Sequence, residues 1–195
     1  MTHPPSPGTR ERLIAAMTDA LRRCGLHGIG LTELLAQAGA PKGVLYHHFP
    51  GGKTELAVAA IDDVVARMLC GLDKLLASEP NPIEATRRWI AGATVRLSAT
   101  GFESGCPLAT VALETTPDDG VLRAALARAF ASLRERIAQA LEQHGEPRAQ
   151  AQGIAALIVA AYEGGLLQAR VAQSDEPISQ ATETLLSLLA ARAAS

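Results

Sequence analysis

The segment Pro41-Lys42-Gly43-Val44-Leu45-Tyr46-His47-His48-Phe49 brings a cation, a phenol and two imidazoles close together. At helical spacing Leu45 and Phe49 fall on one face, leaving Lys42, Gly43, Tyr46 and His47 on the other, with Val44 in the same first turn. Lysine and tyrosine bond phosphate oxygens, and a lysine at a helix N-terminus reaches a guanine edge in a major groove. Gly43 adds no bulk, so the backbone there can come close to another surface. Thr32 lies on the preceding short helical stretch. Lys53 follows the turn Pro50-Gly51-Gly52, where it would add a charge and helix-end amides to a phosphate site. Taken singly, each residue reads equally well as solvated decoration. The spacing joins them into a face suited to duplex DNA.

A second set stands out by residue type. Trp89, Phe102, Cys106, Leu108 and Tyr162 are large or unusual side chains in a chain with only 3% aromatics, and Glu163 adjoins an apolar run. Each alone reads equally as core. Cys106 could sense oxidants only as an exposed, activated thiolate, yet no Lys, Arg or His adjoins it; the other reading is a small packing residue. Glu163, if buried, requires a partner, either an arginine or a donor on a ligand.

Other chemistries find little footing. No GxSxG, HExxH, P-loop or GxGxxG occurs, and adjacent His47 and His48 point to different sides of a helix, away from a shared metal. Cys24, Cys70 and Cys106 are widely spaced and form no CxxC, so neither a metal site nor a disulfide scaffold is expected, and no cofactor is required. The alternative to DNA binding is a helical enzyme or a thiol-based redox sensor using Cys106.

Helices must position these groups. Apolar residues recur at i, i+3 and i+4 along the chain, no sustained alternation of period two appears, and the expected class is all-α. A first helix starts near Thr9, a possible cap, with Leu13, Met17 and Leu21 on a stripe that Ile14 and Cys24 widen. Two short helices, 32–38 and 41–49, meet at Gly39-Ala40, the sequence form of a helix-turn-helix. A long connector follows from about 54 to 77, with Ala57, Ile61, Val64, Met68, Leu72 and Leu75 on one face. Further helices are expected over 83–100, 106–114, 118–143, 147–173 and 178–193.

With 195 residues, 48% apolar, 19% charged and a net charge of -2, the composition is that of a soluble globular protein and not of a disordered or fibrous one. The first ten residues lack an apolar stretch and read as a loose arm, not a signal peptide, which points to the cytoplasm. The longest apolar run, Ile154 to Tyr162, is nine residues, short of the roughly 20 that cross a bilayer, so no membrane partner is expected. Residues 1–56 carry six Lys or Arg against four Asp or Glu, and 57–195 carry twelve against sixteen. A mildly basic head thus precedes an acidic body.

The stretches GIGLTELLAQAG and APKGVLYHHFPGGKTEL resemble the DNA-binding head of the TetR family of transcriptional regulators, and the Pro-Lys-Gly and Pro-Gly-Gly-Lys forms resemble its LmrA/YxaF-like subgroup. ESGCPLATVALE, Glu103 to Glu114, is similar to a Gly-Cys-Pro motif in that subgroup's C-terminal domain. Leu31 stands where many relatives carry a hydroxyl, leaving Gly30 or Thr32 to cap the second helix. The resemblance implies a three-helix head, residues 1–56, on a helical ligand-binding and dimerisation domain, residues 57–195, about nine helices in all. It further implies a homodimer, a repressor's palindromic double-stranded DNA operator, and a small apolar or aromatic effector that lowers operator affinity from a cavity for which Trp89, Phe102, Cys106, Leu108, Tyr162 and Glu163 are the candidates. For the dimer interface the last two helices offer Leu157, Ala161, Gly164 and Gln168, and Ile178, Leu185, Leu188 and Leu189. These stripes could instead bury within one subunit.

Overall fold

In a computed structural model, described over residues 8–193, the chain forms nine α-helices and no strand among those residues. They are α1 (Thr9–Arg23), α2 (Leu31–Ala38), α3 (Lys42–His48), α4 (Gly52–Ser78), α5 (Pro82–Ala99), α6 (Pro107–Glu114), α7 (Gly120–Gln143), α8 (Arg148–Ala172) and α9 (Glu176–Ala193). The all-α expectation holds. Of the loose arm, residues 1–7 lie outside the described residues, whereas Thr9 and Arg10 are already helical. Gly8, not Thr9, occupies the N-cap of α1, with no side-chain cap.

Periodicity placed most buried residues correctly. Leu13, Met17 and Leu21 are fully buried, as are Leu34, Leu45, Leu56 and Ala57, which close the core between α1, α2, α3 and the start of α4. Each such leucine contributes about 1.5–3 kcal/mol relative to an exposed one. Cys24 departs from the α1 stripe: it is the C-cap, where the backbone leaves helical geometry, and its side chain is exposed. Asn81 caps α5 by accepting the Ile83 N–H at 2.9 Å, with Pro82 in the first turn.

Helices α4, α5, α7, α8 and α9 form the larger bundle, and α4 runs from the α1 contact into it. The expected boundary at residue 56 therefore falls within the first turns of α4. By length and mean hydropathy alone α8 could cross a membrane, a property that its longest uninterrupted apolar run conceals. In the fold it is amphipathic. Ile154, Ala155, Ile158, Val159 and Tyr162 face the core against α7 and α9, while Leu157, Leu167 and Val171 face outward.

Candidate nucleic-acid interface

The geometry of α3 follows from the turn before it. Gly39 adopts φ 57°, ψ 39°, and the N–H groups of Gly39 and Ala40 bond back to the carbonyls of Ala36 and Leu35 at 3.1 and 3.0 Å. This left-handed closure satisfies the last α2 carbonyls and is easiest for glycine. Pro41 then occupies the N-cap of α3 in extended geometry. Leu45 and Phe49 are 0% and 2% exposed, and the Arg10 guanidinium lies 5.3 Å from the Phe49 ring centroid. The short helix is held entirely from behind.

Lys42, Gly43, Tyr46 and His47 all lie on the exposed side, and Tyr46 keeps 47% of its surface. A Cβ at Gly43 would meet nothing within 4 Å, so the chain itself does not demand glycine there. Val44 is half-buried, and Thr32 is exposed in the first turn of α2. Gly30, not Thr32, is the N-cap of α2, with no side-chain cap; its carbonyl accepts the Leu34 N–H at 3.0 Å. The His47 and His48 rings do not diverge as helical spacing alone suggested: they touch edge to face, their centroids 5.1 Å apart.

Lys53 is placed differently from the expectation of a phosphate ligand. Its half-buried ammonium donates to the carbonyls of Leu26 and Ile29, each at 2.5 Å. It thus ties the start of α4 to the loop between α1 and α2. The Gly51 N–H at this helix end is also occupied, donating to the Glu55 carboxylate at 2.6 Å. The α4 terminus is a strut beneath the exposed face of α3.

Two cavities flank Cys106. One, about 310 Å³, lies among α1, α4, α5 and α8 with Arg22, Met68, Arg96, Cys106 and Tyr162 in its wall. The other, about 230 Å³, lies between α6 and α8 and is lined by Cys106, Glu163, Glu114 and Arg170 among others. Trp89, Phe102 and Leu108 line neither. Trp89 donates its ring N–H to the Met68 carbonyl at 3.1 Å, and its ring packs tilted by 36° against Tyr162 with centroids 4.8 Å apart. Leu108 is fully buried, and Phe102 is half-buried in a tight turn at φ 63°.

The Cys106 thiol donates to Glu163 Oε1 at 3.2 Å, while Glu163 Oε2 is buried without a hydrogen-bond partner. Burial raises the Glu163 carboxyl to about 7, an effect the thiol bond only partly offsets. Burial and then the neighbouring carboxylate push the Cys106 thiol up, the reverse of an activated thiolate. A maleimide reagent is therefore expected to label exposed Cys24 and Cys70 in the folded protein and Cys106 only after denaturation. Fast labelling of Cys106, read by mass spectrometry of its peptide, would restore the sensor alternative.

Leu157 and Leu188 are 53% and 66% exposed, and Ala161, Gly164, Leu185 and Leu189 are half-buried, with Gln168 exposed. Leu157, Ala161, Gln168, Leu185 and Leu188 share one open groove across α8 and α9. Ile178 does not join them: it is fully buried inside the chain, and a Cβ on Gly165 would stand 2.9 Å from its side chain. Ile178 therefore seats α9 on α8 within one protomer.

Three ties between head and body were not expected from sequence. The Gly105 N–H donates to the Arg22 carbonyl at 3.1 Å, the Arg170 guanidinium to the Arg23 carbonyl at 2.8 Å, and the Leu26 N–H to the Glu114 carboxylate at 2.6 Å. Gly25, at φ 76°, leaves room for that carboxylate. The partners lie far apart in the chain, and only the helix-ending position of Glu114 offered a local signal.

Residues 82–184 match the family model described as the C-terminal domain of LmrA/YxaF-like transcriptional regulators. The HTH-type transcriptional regulator LmrA of Bacillus subtilis is 28% identical over 181 residues, spanning 93% of this chain and 96% of LmrA. The HTH-type transcriptional repressor NemR of Escherichia coli is 30% identical over 192 residues, covering 93% of this chain and 94% of NemR. The crystal structure of its reduced form superposes with a TM-score of 0.76, covering 91% of this chain and 94% of that one. The fold is also that of CifR, solved with a 26-base-pair double-strand operator DNA, at a TM-score of 0.78 and 19% identity, over 95% and 98% of the two chains. The chain belongs to the TetR family of transcriptional regulators, in its LmrA/YxaF-like branch.

Proposed function

We propose that this regulator is a ligand-responsive repressor that binds a palindromic operator as a homodimer and is released by a small effector. The observation that carries the reading is the exposed Lys42, Gly43, Tyr46 and His47 face of α3, supported from behind by buried Leu45 and Phe49. Residues 1–56 would read DNA, with Thr32 and Val44 beside that face and Lys53 acting as a positioning residue. Residues 57–195 would dimerise and hold the effector at the Cys106 cavities. Two α3 helices about 34–36 Å apart would fit successive major grooves. An effector that spreads them would break that match, with α4 as the moving link. The protein would act by binding, without turnover, in the cytoplasm where its operator lies.

DNA from upstream of the gene is expected to be retarded by the purified protein, with affinity falling steeply as salt rises, because basic groups displace counterions. Retardation no stronger than that of unrelated duplex at low salt would remove the proposal. Lys42→Ala is expected to lose roughly 1–3 kcal/mol of operator discrimination if its ammonium reads a base. If the preference is unchanged and only the salt slope falls, Lys42 contacts phosphate.

A further inference from the structure

The larger of the two cavities beside Cys106, about 310 Å³ among α1, α4, α5 and α8, has an unbalanced positive charge in its wall. Arg22 lies in the last turn of α1 and Arg96 in the last turn of α5. Both line the cavity, and neither guanidinium makes a hydrogen bond or an ion pair among the described residues. Asp19, the carboxylate in this wall, is already paired with Arg23 at 2.8 Å, and nearby Arg67 is paired with Asp63. Burial, and then the charges of Arg67 and Arg96, lower the hold of Arg22 on its proton. An anion placed between Arg22 and Arg96 would relieve that repulsion.

A third group points to the same occupant. Tyr162 is 4% exposed and lines this cavity, and its hydroxyl, which keeps accessible surface, has no hydrogen-bond partner among the described residues. Buried phenols ordinarily find one. The ring is fixed against Trp89, so the hydroxyl is held in place, and burial, followed by Cys106 and Glu163, keeps it protonated as a donor. The rest of the wall is largely apolar, with Val64, Met68, Leu97 and Leu166. A bare inorganic anion would leave that surface wet, an amine would add a third positive charge, and an alcohol would leave both guanidiniums unpaired. A carboxylate on an apolar body satisfies all of them, since its two oxygens match the guanidinium fork and also accept from a phenol. The volume lies at the small end of ligand pockets.

We propose that this cavity binds a small organic carboxylate with an alkyl or aryl body, held by Arg22, Arg96 and Tyr162, and that the bound anion bridges α1 of the head to α5 and α8 of the body. This rests on the reading of the chain as a ligand-responsive regulator and names the class of its ligand. The bridge falls where the head already meets the body. Gly105, also in the wall, donates its N–H to the Arg22 carbonyl at 3.1 Å, so an anion that fixes the Arg22 side chain steadies that contact.

The test is calorimetric titration of the full-length protein at about pH 7 with phenylacetate, with phenethyl alcohol and phenethylamine as neutral and cationic counterparts and inorganic phosphate as the bare anion. Phenylacetate is expected to bind at least about tenfold more tightly than any of the three. Arg22→Gln and Arg96→Gln should each erase most of that preference. Tyr162→Phe, which keeps the ring against Trp89, should weaken phenylacetate about tenfold or more, whereas Arg128→Gln, an exposed site on α7 away from the cavity, should change nothing. Amide exchange at Gly105 should slow when phenylacetate is bound. Equal binding of phenylacetate and the alcohol, undiminished binding in the three cavity variants, an equal loss in Arg128→Gln, or no binding of any probe overturns the anion site. Phosphate that binds as tightly as phenylacetate overturns the organic ligand, and unchanged Gly105 exchange in the bound protein overturns the bridge. Operator retardation without any carboxylate, measured alongside, separates failure of this site from failure of the regulator reading.

Discussion

The double variant Leu157→Glu/Leu188→Glu is expected to be a monomer whose operator affinity has fallen by about 10²–10⁴-fold. Both side chains lie more than half exposed in the groove that α8 and α9 share, and each can be changed without disturbing the core of one protomer. Paired copies would bury them at the centre of an apolar face, where four unpaired carboxylates cost several kcal/mol of association. The large loss follows from geometry. On the proposed reading, one α3 of seven residues would contact a single half-site weakly, and tethering a second would convert the next contact into an intramolecular one. Sedimentation gives the oligomeric state and retardation of a palindrome gives the affinity. A variant that sediments as a dimer, or a monomer that grips the palindrome as tightly as the parent, contradicts the assignment. Ile178→Ala is the informative contrast. That side chain seats α9 against Gly165 inside one protomer, so its loss should lower the unfolding temperature first.

The helices were legible where an end carries a local mark: left-handed Gly39 after α2, Pro41 before α3, Pro82 and Asn81 opening α5, and Pro107 opening α6. The exposed face of α3 was legible from spacing, since i, i+4 periodicity alone separates buried Leu45 and Phe49 from exposed Lys42 and Tyr46. Sequence could not reveal where long side chains end. Lys53 lies beside a glycine turn, as a phosphate-binding lysine would, yet its ammonium finds two carbonyls 27 and 24 residues away. Ile178 begins the same apolar stripe as Leu185, but the crossing of α9 over small Gly165 draws it inward. Trp89 and Leu108 are large and apolar, and size is what a core selects. The apolar run before Glu163 marks that carboxylate as a group needing a partner. Its bond to the thiol 57 residues away and its orphaned second oxygen appear only when the helices are packed.

Leu45→Ala is expected to cost about 2–5 kcal/mol and to abolish operator binding at every salt concentration. The side chain is fully buried, and α3 is far too short to be stable as an isolated helix, so Leu45 and Phe49 supply most of what keeps it formed. Against a total stability of roughly 5–15 kcal/mol, a loss of that size can melt the head locally before the α4–α9 bundle unfolds. This distinguishes a positioning residue from a contact residue. Lys42→Ala leaves the helix in place, so its deficit should appear in base discrimination or in a salt slope reduced by about one. Leu45→Ala should remove the binding-competent surface itself, without a compensating gain at low salt. Gly43→Ala provides the control: a Cβ there meets nothing within the chain, and alanine favours helix by up to about 1 kcal/mol, so the folded head should be at least as stable. If Gly43→Ala nevertheless weakens operator binding, the added methyl is meeting DNA. If Leu45→Ala retains parental unfolding and parental retardation, α3 is not the rigid reader that its buried face implies.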